Sequence, residues 1–310
     1  MGAADRICTN AMTVDVEDWF QVAAFADRID PASWDRFVPR VERNTDRLIE
    51  MFAGAGVRAT FFTLGWIAER HPALIRRIAA AGHEVACHGY SHQLVYNQSP
   101  EIFREETLRA KGLLEDLLGE PMRGYRAASY SIIRESLWAL DILVEAGFEY
   151  DSSIFPVRHD RYGIPGGERW PHRLTAPGGG ELVEFPLTTV RWLGMSLPIA
   201  GGGYFRLYPY ALTRAGLATI TRESLPVIFY LHPWEIDPGQ PRINASWRSR
   251  FRHYTNLGRC EARLARLLTH FSWGACEDVL TGLGLLPATA PARRPIESGH
   301  GLPNAASAGA

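Results

Sequence analysis

The chain is poor in most features that announce a function early. Its 310 residues include four cysteines, Cys8, Cys87, Cys260 and Cys276, far apart and without a C-x-x-C pair. That excludes a disulfide scaffold and a cysteine zinc site. Lys111 is the only lysine, and 33 basic residues against 34 acidic ones leave a formal net charge of −1. Such a balance provides no long-range attraction for nucleic acid or an anionic membrane surface. There is no run of about 18 apolar residues, the length a membrane-crossing helix needs. Residues 1–5 have neither a basic flank nor an apolar stretch of the kind a secretory leader carries. The expectation is a cytoplasmic protein with no nucleic-acid partner and no transmembrane segment, with oligomerisation left open.

What is present is core-forming material. Hydrophobic residues make up 46% of the chain, enough for one large α/β domain. Nine tryptophans and eleven tyrosines exceed what a core alone needs and suit sugar rings, although most such residues simply pack.

Short β-branched or apolar runs alternate with helical periodicity. Strands are expected at residues 11–16, 58–64, 85–87, 123–127, 148–152, 182–185 and 227–231, with a further one at 204–207. Helices are expected at 39–55, 67–81, 100–118, 137–146, 211–220 and 259–270. Residues 158–180 are rich in proline and glycine and read as a long loop. About seven strand–helix units imply a mainly parallel sheet curled into a distorted, nearly closed (β/α)7 barrel. Residues 1–285 read as one catalytic domain with a helical extension from about 240, and 286–310 as a disordered tail.

In such a barrel the C-terminal strand ends share one face, where active sites sit. This sequence puts Asp15, Glu17 and Asp18 after the first strand, His88 and His92 after the third, and Arg126 after the fourth. Asp151 follows the fifth and His232 the last. Two imidazoles four residues apart can converge on a divalent first-row metal. The arrangement is not H-E-x-x-H, because Gly89 follows His88. Each residue has a plainer reading alone: capping or surface histidines for the pair, an ion pair or turn caps for Arg126 and Asp151, a packed core residue for His232. His71, His83, His159, His172, His253 and His270 read as structural or surface groups. The coincidence of polar residues at successive strand ends is what favours a site.

The set resembles the polysaccharide deacetylase family, the NodB-like carbohydrate esterases. The matching motifs are Thr13-Val14-Asp15-Val16-Glu17-Asp18, His88-Gly89-Tyr90-Ser91-His92, Arg126-Ala127-Ala128-Ser129, Asp151-Ser152-Ser153 and Leu231-His232-Pro233-Trp234. Asp-Val-Glu-Asp-Trp, Gly203-Tyr204-Phe205-Arg206 and the continuation to Glu235 resemble the branch associated with exosortase and exopolysaccharide clusters, related to allantoinase-like and peptidoglycan-deacetylase-like members.

The resemblance implies a metal-dependent hydrolase that removes acetyl groups from N-acetylated oligo- or polysaccharides, or from a lipid-linked saccharide. Zinc is the first choice of metal, with cobalt, nickel or iron as others. Asp15 matches the general base, His232 the general acid, Arg126 the group that positions the base, and His88 and His92 the metal ligands. Tyr90, Asp151, Trp170, Tyr204 and Trp234 are the expected substrate contacts. Val16 stands where the family usually has its ligand aspartate, so the third ligand is Glu17 or Asp18. Residues i and i+2 share a strand face, which favours Glu17, while a looped-out Asp18 stays open. Two other functions remain: hydrolysis of a small cyclic amide or ureide, and a catalytically silent carbohydrate-binding or assembly protein.

Overall fold

The computed structural model describes residues 9–288 apart from residues 160 and 193; the expected tail beyond 288 and Cys8 lie outside the described residues. The strands in chain order are β1 (Asn10–Val16), β2 (Thr60–Thr63), β3 (Glu84–Cys87), β4 (Gly124–Tyr125), β5 (Tyr150–Asp151), β6 (His172–Thr175), β7 (Glu181–Glu184), β8 (Thr189–Trp192), β9 (Met195–Pro198), β10 (Ile228–Leu231) and β11 (Trp273–Gly274). The main sheet runs β10-β1-β2-β3-β4-β5-β7-β6, with β11 also on β1, while β8 and β9 form a separate hairpin. β1 to β5 with β7 and β10, seven strands, make the parallel barrel wall, β11 adds to β1 in parallel as well, and within this sheet β6 alone runs antiparallel, against β7. Between β7 and β10 there is no ladder, but the amide of Ile228 donates to Thr188 Oγ1 at 2.8 Å. The sheet is thus curled into a nearly closed (β/α)7 barrel, as the sequence pattern indicates.

Helices pack outside it: α1 (Val41–Ala55), α2 (Gly65–Arg70), α3 (Pro72–Ala80), α4 (Pro100–Leu118), α5 (Trp138–Glu145), α6 (Gly202–Leu207), α7 (Tyr210–Arg222), α8 (Trp247–Tyr254), α9 (Leu257–His270) and α10 (Cys276–Gly282). Local chemistry sets their ends. Ser99 caps α4 by accepting from the Ile102 amide, Pro100 opens its first turn, and Gly119 closes it in the left-handed region at φ 72°.

Strands buried on both faces need both faces covered, and alternation decides which residue goes where. In β1, Met12, Val14 and Val16 join the large core beneath the helices, whereas Ala11 joins an inner core with Phe62, Ala86, Tyr150, Ile228 and Tyr230. Thr13, Asp15 and Glu17 continue the inward set of Ala11. The same parity carries Ala86 to His88, Gly124 to Arg126 and Tyr230 to His232. The barrel therefore delivers these polar residues to one mouth.

Three expectations are corrected. The helix expected over 67–81 is two, because Pro72 cannot donate to the preceding turn and restarts the chain as the first residue of α3. Residues 204–207 are helical in α6 and not a strand. The 158–180 loop contains β6, whose burial alternates with exposure as an edge strand's does. Before α6, Gly201 has φ 130°, and a Cβ there would lie 2.0 Å from the Tyr230 carbonyl oxygen. That glycine lets α6 approach β10 directly.

Candidate active site

The mouth of the barrel opens into a cavity of about 380 Å³ lined by Asp15, Glu17, His88, His92, Tyr204, His232 and Trp234, among others. Seven residues singled out from the sequence thus meet in one place. Arg126 lies directly behind Asp15 and is fully buried. Its Nη1 donates to Asp15 Oδ1 at 2.6 Å and to Thr13 Oγ1 at 2.8 Å, and its other nitrogens donate to the carbonyl and hydroxyl of Ser152. A buried cation so saturated fixes the orientation of the aspartate beside it. The second Asp15 oxygen faces Tyr130 Oη at 3.4 Å and His232 Nε2 at 3.8 Å.

His88 Nδ1 lies 2.7 Å from the Arg126 carbonyl oxygen. Since a carbonyl only accepts, Nδ1 carries the hydrogen and Nε2 keeps its lone pair. Burial pushes the His88 pKa down to about 4, against the opposing pull of Asp15, so the ring is neutral at pH 7. His92 Nε2 lies 3.0 Å from Glu17 Oε2, and His232 Nε2 lies 3.1 Å from Glu17 Oε1. Burial alone would raise the Glu17 pKa, but His92 and His232 outweigh it and hold it near 2. His232 Nδ1 in turn contacts Glu235 Oε1 at 2.8 Å, and Arg206 Nε donates to Glu235 Oε2 at 2.6 Å. Burial opposes a charge on His232, yet Glu17 and Glu235 lift its pKa to about 9.

The backbone is strained at this mouth. His92, Ser129 and Tyr130, all on the cavity, hold φ of 55°, 51° and 56°. Left-handed conformations of non-glycine residues cost energy and persist where the surroundings over-determine them, commonly at functional sites.

Four expected residues go elsewhere. Asp18 has the opposite parity to Asp15; its Oδ2 accepts from the amides of Arg40 at 2.6 Å and Val41 at 3.0 Å, capping α1. The structure thus places it against the start of α1, and it does not line the cavity. Tyr90 donates to Glu69 at 2.7 Å beneath the guanidinium of Arg109, outside the main cavity. Asp151 is paired with Glu184: both are fully buried, and burial lifts the Asp151 pKa to about 6 and that of Glu184 further. Glu184 Oε1 accepts from the Ile154 amide at 3.0 Å and Asp151 Oδ1 from Ser153 Oγ, which ties the end of β7 to the segment after β5. Trp170 is 42% exposed and does not line the cavity.

The sequence reading missed Glu235, Arg206, Tyr130, Tyr162, His159 and His253, all at or next to the cavity. Glu235, three residues after His232 at the opening of a helical turn, and Arg206, the last residue of the Gly203–Arg206 motif, were the two that left a signal. His253 stacks on Trp234 at 4.1 Å, and Trp234 on His232 at 5.0 Å. Chain distance hid that column.

The donor chemistry fits a divalent cation. Glu17 Oε2 is buried beside His92 Nε2, His88 has Nδ1 engaged by the Arg126 carbonyl so that Nε2 is the nitrogen left to ligate, and the 3.0 Å between Glu17 and His92 is about the spacing of neighbouring ligands whose metal bonds are about 2.1 Å. Convergence is incomplete: among the described residues no group of three or more such side chains is gathered closely enough to hold an ion as it stands. His88 and His92 have ring centroids 5.5 Å apart.

Residues 32–150 match the family described as polysaccharide deacetylase, and residues 152–281 match a domain of unknown function (DUF3473). A peptidoglycan deacetylase of Helicobacter pylori is 30% identical over 124 residues, covering 40% of this chain and 41% of that protein. A chitooligosaccharide deacetylase of a Bradyrhizobium species is 30% identical over 99 residues, 32% of this chain and 43% of its own. The matched stretches thus span about two fifths of these relatives. A crystal structure from Mycobacterium smegmatis, assigned to the polysaccharide deacetylases, superimposes with a TM-score of 0.60 at 22% identity over 94% of this chain and 96% of that one. The allantoinase Puue does so with 0.57 at 16% identity over 88% and 89%. The fold is that of the deacetylase barrels, and the family likeness lies in residues 32–150, which match the polysaccharide deacetylase model. His232, Glu235 and Arg206 fall in the DUF3473 portion, so the cavity is built from both matched segments.

Proposed function

We propose that this protein hydrolyses the acetamide of N-acetylated sugars in a polysaccharide or its precursor, using a divalent metal held by Glu17, His88 and His92. The observation that carries the reading is that Asp15, backed by Arg126, and His232, backed by Glu235, face each other across one cavity beside those three donors. A bound metal would supply Lewis acidity toward the amide carbonyl and lower the pKa of a water. Asp15, oriented by Arg126, accepts the proton of the attacking water. His232 holds a proton on Nε2 while Nδ1 is engaged by Glu235, and gives it to the sugar nitrogen, which cannot leave as an anion. Acetate and a free amino sugar result. Exopolysaccharide, or a lipid-linked intermediate processed in the cytoplasm, is the setting we infer from the motifs at 203–206 and 231–235. Cyclic ureide hydrolysis is supported only by the shared fold of the allantoinase.

The test is metal content together with acetate release from N-acetylglucosamine oligomers. About one equivalent of metal and acetate release abolished by Asp15→Asn with metal retained are expected. Metal binding without acetate from any acetylated sugar would overturn the substrate, and failure to bind metal would overturn the mechanism.

A further inference from the structure

Residues 238–260 contain five arginines and no aspartate or glutamate, in a chain whose overall charge is near zero. Two of them, Arg248 and Arg252, meet Arg161 beside the cavity mouth. A second cavity, of about 170 Å³, is lined by Ala24, Arg161, Ser246, Arg248, Ser249 and Arg252. It shares Ala24, Arg161 and Arg252 with the cavity that holds Asp15 and His232. The two therefore adjoin, with shared walls between a catalytic side and an arginine side.

Arg248 lies over the Trp247 ring at 5.5 Å, which engages one guanidinium face and leaves its charge uncompensated. Arg161, Arg248 and Arg252 are exposed, and none has an ion-pair partner among the described residues, whereas Arg40, Arg58, Arg70, Arg77, Arg109 and Arg123 all do. The serines at this end are already engaged, Ser246 capping α8 by accepting from the Ser249 amide at 3.2 Å. The free donors are thus guanidinium forks, which match the planar oxygen pairs of phosphates and carboxylates. A single carboxylate offers one such pair and one charge. Three guanidinium groups with no ion-pair partner among the described residues, around one small cavity, call for an anion with more than one negative charge.

We propose that Arg161, Arg248 and Arg252 form a subsite for a phosphoester or diphosphate carried by the substrate next to the sugar whose acetyl group is removed. This rests on the deacetylase reading and specifies its substrate as a phosphorylated N-acetylated sugar. A nucleoside-diphosphate sugar and a polyprenyl-diphosphate saccharide share that chemistry, and only their remaining groups differ.

The experiment is calorimetric titration of the purified protein with inorganic pyrophosphate and with N-acetylglucosamine 1-phosphate, set beside acetate release from phosphorylated and neutral N-acetylglucosamine. Arg248→Ala, Arg252→Ala and Arg161→Ala are each expected to weaken binding by about 10-fold, the usual worth of a charge-assisted contact. Arg104→Ala, on α4, leaves binding as it was. The ratio of kcat/KM for phosphorylated over neutral sugar falls in the same three variants. Equal thermal unfolding midpoints show that the variants fold. Nucleoside-diphosphate and short polyprenyl-diphosphate N-acetylglucosamine then identify the source by which is turned over.

Pyrophosphate binding insensitive to the three arginines overturns the subsite, as does tighter binding of a uronate-bearing saccharide than of the phosphate. Retention only on anionic vesicles, lost on Trp247→Ala and Phe251→Ala, overturns it in favour of membrane docking by the exposed face of α8. Arginine-dependent pyrophosphate binding with no acetate from any sugar leaves the subsite standing and removes the deacetylase reading. Acetate release with no preference for phosphate does the reverse.

Discussion

Glu235 holds His232 from one helical turn away: its Oε1 lies 2.8 Å from His232 Nδ1, and its Oε2 accepts from Arg206 Nε at 2.6 Å. The imidazole is fixed at one nitrogen so that the other faces Asp15 and Glu17. Arg206 is itself almost wholly buried and spends its remaining donors on the carbonyls of Arg252, His253 and Thr255. The acid of the proposed reaction is thus tied through one carboxylate to α6 and α8.

Replacing Glu235 by glutamine keeps the shape and removes the charge that favours the imidazolium. The expected result is a fall in kcat of roughly 10- to 1,000-fold with KM little changed, as for the orienting carboxylate of other acid–base histidines. Glu235→Ala adds a structural penalty of about 3–5 kcal/mol, because Arg206 becomes a buried charge without its partner. Steady-state kinetics and urea unfolding separate the two. An unaltered kcat in Glu235→Gln would remove the positioning role.

Glu17 and Asp18 are neighbours in sequence, but Glu17 lines the cavity while Asp18 accepts from the first amides of α1. Glu17→Gln is expected to lose bound metal and nearly all turnover. Asp18→Asn keeps the metal and lowers stability by about 1 kcal/mol, the usual worth of a helix cap. Metal content by mass spectrometry and thermal unfolding of both variants check this, and metal loss in Asp18→Asn alone would reverse the assignment.

That pair shows what was legible in the sequence. Parity along β1 was enough to favour Glu17, because an inward residue at i puts i+2 inward as well. Likewise Asp15, His88, Arg126 and His232 could be placed at one face once the strands were recognised. What the sequence did not reveal depends on packing between distant segments. The column His232–Trp234–His253 joins β10 to α8, and Asp151 could not be separated from the catalytic set before its partner Glu184 was seen. Residues 204–207, aromatic enough to look like a strand, became helical because Gly201 and Gly202 let the chain turn against Tyr230.

Trp170 and Tyr204 were both candidates for stacking on a sugar, and only Tyr204 lines the cavity, its hydroxyl 3.0 Å from that of Tyr162. Trp170→Ala is expected to change kcat/KM less than twofold, whereas Tyr204→Ala raises KM by about 10-fold or more through lost ring contact and hydrogen bonding. Kinetics on an N-acetylglucosamine oligomer check both. A KM effect at Trp170 matching that at Tyr204 would move the sugar path to the β6 edge.

The opposite end of the barrel holds a pH-sensitive carboxyl. Glu84 begins β3 inside the barrel, accepting from Tyr150 Oη at 2.7 Å, from Thr60 Oγ1 at 2.6 Å and from the Glu277 amide at 3.2 Å. Burial, with the Glu277 carboxylate next, raises its pKa from 4.5 to about 7, while Arg58 and Arg123 partly neutralise Glu277. A carboxyl whose folded pKa lies above its unfolded one binds the proton more tightly when folded. Its contribution is complete below pH 4.5 and fades as pH rises through 7. The lost part is on the order of 3 kcal/mol from a rise of about 2.5 pKa units. Glu84→Gln has no such proton to lose, so the urea midpoints of wild type and variant should diverge between pH 5.5 and 8.5, the variant being the more stable at the alkaline end. Parallel midpoints across that range would mean that Glu84 ionises without cost in the folded barrel.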